Sequence, residues 1–165
     1  MKAPSAGCPP RFREAAELLD RGIDDGAYTA AVLLVGVGNE VAWERSAGHA
    51  RAASLFDIAS VTKPLTAALF FVLSQEGHLR TDEAAGDLLT FTSPDPRVRE
   101  IRFSHLLSHT SGLPAYRPLY EKVAEREKER GTPLFGTAEG HDIVLAEILS
   151  LPLSYSPGTA WDYSD

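Results

Sequence analysis

The sequence predicts an α+β fold in which a helical region packs beside an antiparallel sheet. Three observations support this. The chain has 165 residues, 44% hydrophobic and 24% charged, the makeup of one soluble globular domain long enough to bury a core, which excludes disordered and fibrous classes. One β-hairpin pattern stands near the amino end. Helical patterns fill most of the chain beyond it.

After a Pro-rich lead, Arg11 to Arg21 carries Phe12, Ala15, Ala16, Leu18 and Leu19 at helical spacing, with Gly22 and Gly26 as closing residues. Ala30 to Val37 is rich in Val and Leu, Gly38-Asn39 is a turn pair, and Glu40 to Arg45 alternates in polarity around Val41 and Trp43, which predicts a hairpin. Gly36-Val37-Gly38 lacks the third glycine of a dinucleotide loop, because Val41 stands there. Pro64 to Glu76 is apolar almost all round, as a helix buried on most sides is, and Gly77 suits a left-handed cap. Asp82 to Leu89 reads as a short helix, Thr92 to Pro96 as a loop, and Phe103 to Ser108 as a short helix stopped by Gly112 and Pro114. Glu121 to Arg130 mixes charges of both signs, as a solvated helical face does, and His141 to Leu151 is an amphipathic helix.

The net charge of -7 and pI near 5.2 repel phosphate backbones and anionic lipid heads, so nucleic acid is not an expected partner. The longest unbroken apolar run, Ala67 to Leu73, is far short of a bilayer span. A lone cysteine, Cys8, cannot form an internal disulfide. Ala6-Gly7-Cys8 has the look of a lipoprotein cleavage site, but no apolar stretch precedes it. No signal peptide is visible, so the cytoplasm is the default location; an upstream start would place the protein outside it.

Chemistry concentrates at Ser60-Val61-Thr62-Lys63. A serine hydroxyl needs a nearby proton acceptor, and its attack on a carbonyl needs donors for the resulting oxyanion. In a helical turn, residues three apart share a face, which brings Lys63 beside Ser60. Pro64 fits only the first turn or so of a helix and therefore sets Ser60 near its start, where unpaired N–H groups favour negative charge. Ser-x-x-Lys is a short pattern, and a structural serine capping a core helix looks the same.

The surrounding sequence decides between the two. Phe56 to Pro64 (FDIASVTKP), His105 to Pro114 (HLLSHTSGLP) and Tyr155 to Asp165 (YSPGTAWDYSD) occur in that order. Together they resemble the family of class C β-lactamases, D-alanyl-D-alanine carboxypeptidases and related serine esterases, from about Arg11 to the last residue. The resemblance implies a β-lactamase/transpeptidase-like fold and an acyl-enzyme mechanism without a cofactor. Ser60 would attack the carbonyl of an amide, lactam or ester, Lys63 would accept or relay its proton, and Tyr163, in the place of the tyrosine of the family's Tyr-Ser-Asn motif, would act as general base or relay. A phenol can do this when a cation such as Lys63 stabilises its phenolate. Asp165 stands where the family most often has Asn, as a substrate-binding residue that accepts but cannot donate when ionised.

The resemblance also implies a third motif on a sheet strand that supplies the second oxyanion N–H, together with further strands and terminal helices. No such triplet stands downstream of Ser164. Residues 1–165 are therefore expected to be the amino-terminal part of one such domain, truncated before the carboxy-terminal strands, with an exposed sheet edge and an uncovered apolar face. The expected partner is a small-molecule or peptide substrate with a scissile acyl bond, and a carboxy-terminal remainder would complete the fold. The rival expectation is a catalytically incomplete fragment that binds partners through its open edge. His105 and His109, four apart on an expected helix, could in principle grip a metal, but the His-Glu-x-x-His pattern fails and no further ligand cluster appears.

Overall fold

Pro10 opens a short 3-10 turn, Pro10–Phe12, that leads into helix α1, Arg13–Asp24. In this computed structural model, which describes residues 8–164, the helix does not stop at Gly22 as expected but continues through it. Gly22 serves a close approach instead: a Cβ there would overlap the Tyr28 ring, whose hydroxyl donates to the Leu19 carbonyl at 3.0 Å. The chain divides into two compact units, Met1–Asp57 and Ile58–Asp165.

In the first unit, strands β1 (Ala30–Val37) and β2 (Glu40–Gly48) pair antiparallel. Val37 pairs with Glu40 around the expected Gly38-Asn39 turn, and Gly38 takes a φ of +61° that suits glycine. The register slips by one between Val35 and Gly36, as at a β-bulge. β2 outruns its alternating pattern, because Ser46, Ala47 and Gly48 go on to pair with Val32, Ala31 and Ala30. α1 rests on β2 through Phe12 stacked on Trp43 at 5.2 Å and through the Asp20 carboxylate, which accepts both at 2.7 and 2.6 Å from Arg45. The sheet has two strands, so neither outer edge has a strand beside it among the described residues, and Leu34, Val37 and Val41 are exposed.

In the second unit, a 3-10 turn, Ala59–Val61, precedes helix α2, Thr62–Gln75, which ends before Gly77 at φ +80°. Contrary to expectation, α2 is not buried on most sides. Phe70 alone among its residues is buried, against the Phe103 ring at 5.3 Å. Val61 and then Leu65, Leu69 and Val72 of the helix follow steps of four, four and three along one face, and Leu65 is 61% exposed. Apolar composition gives a helix the capacity for burial, but the covering layer must come from elsewhere in the chain. Within this unit, none of the described residues covers this face.

The core of this unit forms instead around Ala85, Val98, Ile101 and Leu153, with Leu89, Phe91, Phe103, Leu106 and Leu113 packed on it. Asp82 to Leu89 is not a helix. Ala84 bridges to Arg102 and the Ala85 N–H donates to the Ile101 carbonyl at 2.8 Å, which holds the segment extended and leaves only a 3-10 turn, Ala85–Asp87. A further 3-10 turn, Pro96–Glu100, is capped by Asp95. Asp95 accepts from Arg97 Nη2 at 2.7 Å and from the Leu153 N–H at 3.0 Å, while Arg97 Nη2 donates to the Leu153 carbonyl at 2.9 Å. The Arg97 hydrogen bond, helped by those backbone N–H groups, holds the Asp95 carboxyl well below the usual carboxylate range. This knot ties together segments 56 to 58 residues apart in the chain.

Three further helices complete the unit: α3 (Phe103–Leu107), α4 (Tyr120–Arg130) and α5 (Ala138–Ser150). α4 bears the expected solvated face, with exposed pairs Lys122–Glu125 and Arg126–Glu129 that contribute little each. Its Val123 is buried, Arg130 pairs with Glu139 of α5, and the Thr137 hydroxyl caps α5 by accepting from the Gly140 N–H at 3.1 Å. Helices plus a two-stranded antiparallel sheet are the α+β content expected from the sequence. Among the described residues, no helix is long and apolar enough to cross a membrane.

Candidate active site

Ser60 lies in the 3-10 turn, two residues before α2 begins, rather than inside the helix. The residue before it, Ala59, has φ +43°, a left-handed conformation that strains any residue with a Cβ. Pro64 is the third residue of α2, within the first turn, where a missing N–H breaks no intrahelical bond. The turn and the helix start share a face, so Lys63 Nζ lies 3.4 Å from Ser60 Oγ. That distance is at the outer limit of a hydrogen bond, a looseness common before substrate is bound.

Tyr163 is a hundred residues further along and reaches the same place through a run of backbone hydrogen bonds. The segment just after α3 is paired with the last segment of the chain. Ser154 N–H donates to the Gly112 carbonyl at 2.8 Å, Gly158 N–H to the Thr110 carbonyl at 2.8 Å, and Asp162 N–H to the His109 carbonyl at 3.1 Å. Gly112 permits this approach, because it holds φ +84° and a Cβ there would overlap the Tyr155 carbonyl oxygen. The outcome is a Tyr163 ring whose centroid lies 4.9 Å from Lys63 Nζ.

The structure thus brings Ser60, Lys63 and Tyr163 together around one amine. Ser60 is exposed, Lys63 half-buried and Tyr163 44% exposed, so the group faces solvent. An ammonium here would lie within cation–π distance of the ring, and a neutral amine could accept a proton from the serine. Asp165 lies outside the described residues. A cavity of about 390 Å³ among the described residues lies elsewhere, lined by Lys128 of α4 and by Pro133 and Phe135 just after it.

His105 and His109 do not share a helix face. α3 ends at Leu107 and His109 has φ +56°, so the four-residue spacing does not correspond to one turn of a continuous helix. Each Nδ1 accepts from a backbone N–H instead: His105 from Arg102 and His109 from Ser164, both at 3.2 Å. The His109 ring also lies 4.6 Å from the Tyr163 ring. Sequence reasoning did not connect His109 with the tyrosine, and its sole signal was its place in the block that follows α3.

Comparison with known proteins identifies relatives of this chain. The family model described as Beta-lactamase matches residues 15–165. Esterase EstB of Burkholderia gladioli is 29% identical, over 89% of this chain and 40% of its own length. A penicillin-binding protein of Bacillus subtilis is 32% identical, over 51% of this chain and 20% of its own. A solved structure of a candidate beta-lactamase from Bacteroides dorei superposes with a TM-score of 0.68 at 24% identity, over 93% of this chain and 42% of that one. The chain spans less than half the length of each of these proteins.

Proposed function

Since the chain belongs to the Beta-lactamase family, whose members matched here are an esterase and a penicillin-binding protein, we propose that it is the nucleophile-bearing part of a serine hydrolase acting through an acyl-enzyme on Ser60. The observation that carries this reading is the single amine of Lys63, 3.4 Å from Ser60 Oγ and 4.9 Å from the Tyr163 ring centroid. Ser60 Oγ attacks the carbonyl carbon of an amide, β-lactam or ester, and its proton passes to Lys63 Nζ or through it to a Tyr163 phenolate. The oxyanion forms beside the amino end of α2, where first-turn N–H groups favour negative charge. Collapse breaks the bond to the leaving group, which takes the proton back. Water, activated by the same base, then hydrolyses the seryl ester.

The family places a second oxyanion donor on a strand beyond Ser164, so substrate turnover would require a carboxy-terminal remainder. Pocket walls choose among β-lactam, D-alanyl-D-alanine peptide and simple ester. Rapid mixing with an activated ester such as p-nitrophenyl acetate tests the reading. A burst of p-nitrophenol approaching one equivalent, followed by slow or no turnover, supports it; release without a burst that persists in Ser60→Ala refutes it.

One observation favours a second reading. The exposed stripe of Val61, Leu65, Leu69 and Val72 is a surface through which a catalytically incomplete chain could act as a binding module. Under that reading Ser60→Ala leaves every activity of the chain intact.

A further inference from the structure

His109 and Ala59 are the two non-glycine residues with positive φ among the described residues. Ala59 adjoins the serine, and His109 touches the tyrosine and both of its chain neighbours. The His109 carbonyl accepts from the Asp162 N–H at 3.1 Å, its Nδ1 accepts from the Ser164 N–H at 3.2 Å, and its ring lies 4.6 Å from the Tyr163 ring at an interplanar angle of 36°. The peptide N–H groups on both sides of Tyr163 are therefore bonded to one residue, which also packs on the side chain between them.

We propose that His109 is the positioning residue for Tyr163, holding its backbone and its ring where Lys63 Nζ meets the phenol. The inference rests on the proposed role of Tyr163 as proton relay. The His109 backbone turns at φ +56°, and its carbonyl and its side chain both meet the segment 162–164. Histidine tolerates this region better than most residues with a Cβ. Nδ1 can accept from Ser164 only through a lone pair, so this grip requires the tautomer with its proton on Nε2. Alanine keeps the carbonyl grip but loses the acceptor and the ring. Asparagine keeps the left-handed tolerance and offers an acceptor, but no ring.

The 165-residue chain, labelled with ¹⁵N and with ¹³C-tyrosine, gives a readout that does not depend on turnover. The expected result is a His109 imidazole in the Nε2–H tautomer, with Tyr163 ring signals, assigned through Tyr163→Phe, that move in both His109→Ala and His109→Asn. The Ser164 amide should move strongly in His109→Ala and return part of the way in His109→Asn. Acylation of Ser60 by a fluorophosphonate should slow about 10²-fold in His109→Ala, as for a displacement of about 1 Å, with the half-saturating probe concentration unchanged. If Tyr163 and Ser164 keep their signals in a folded His109→Asn or His109→Ala protein, or if Nδ1 carries the proton, the positioning role is wrong. If those signals move but Ser60 is not acylated in the unmodified chain, the positioning holds and the hydrolase reading fails.

Discussion

Gly112 is the residue on which the approach of Tyr163 to Lys63 depends, and Gly112→Ala separates two costs that the structure lets us count. Alanine at φ +84° costs about 1–2 kcal/mol from backbone sterics. The new Cβ would also overlap the Tyr155 carbonyl oxygen, and moving that segment away strains the Ser154 N–H bond to the Gly112 carbonyl, worth about 0.5–1.5 kcal/mol. Together these come to about 1.5–3.5 kcal/mol. Gly77 is the internal control: it has φ +80°, but a Cβ added there would meet nothing within 4 Å, so Gly77→Ala should cost only the backbone part, about 1–2 kcal/mol. Urea unfolding followed by circular dichroism reads both. At a slope of about 2 kcal/mol per M, the midpoint should fall by about 0.8–1.8 M for Gly112→Ala and by about 0.5–1 M for Gly77→Ala, the excess being the part due to the Tyr155 overlap. Equal losses in the two variants would show that the approach of residues 154–158 to Gly112 is not what constrains this position.

Four further outcomes rest on the same geometry. Ile101, fully buried at the centre of the second unit's core, should cost about 2–5 kcal/mol on Ile101→Ala, read by the same titration. Ala59→Gly should relieve the strain at φ +43° and raise stability by about 0.5–1 kcal/mol after the extra freedom of glycine in the unfolded chain is subtracted, seen as a higher melting temperature. Asp95 has its folded pKa lowered, so its stabilisation is fully present above the unfolded value of about 3.9 and is lost as pH falls from there toward the folded value; acid titration should show that loss, and Asp95→Asn should flatten it. Lys63→Ala and Tyr163→Phe should each slow Ser60 acylation about 10²–10⁴-fold while leaving the stability read by urea within about 0.5 kcal/mol.

Local patterns carried much of the fold. The limits of β1, the Gly38-Asn39 turn and the placement of Pro64 in the first turn of α2 all arise from residues within a few positions of one another, so sequence spacing suffices to read them. The same holds for Ser60 and Lys63, whose proximity is one helical turn. What the pattern missed depends on partners far along the chain. Gly22 looked like a helix stop because the Tyr28 ring that needs its bare backbone is invisible to periodicity. Asp82 to Leu89 has helical composition, yet the Ile101 carbonyl and Arg102 draw it into an extended path. The histidine pair had metal spacing only on the assumption of a continuous helix, and His109 leaves the helix for the left-handed region. Apolar residues around α2 were legible, but whether they are covered is a property of neighbours and not of the helix.

The central claim is that Ser60 forms an acyl-enzyme with Lys63 and Tyr163 as its proton partners. Intact-mass and peptide mass spectrometry after exposure to a fluorophosphonate or a β-lactam tests it most directly. One adduct per chain, mapped to Ser60, absent in Ser60→Ala and slow to form in Lys63→Ala, is the expected result. An unlabelled Ser60 in a folded chain, also when the chain is extended to the full length of its relatives, would contradict it.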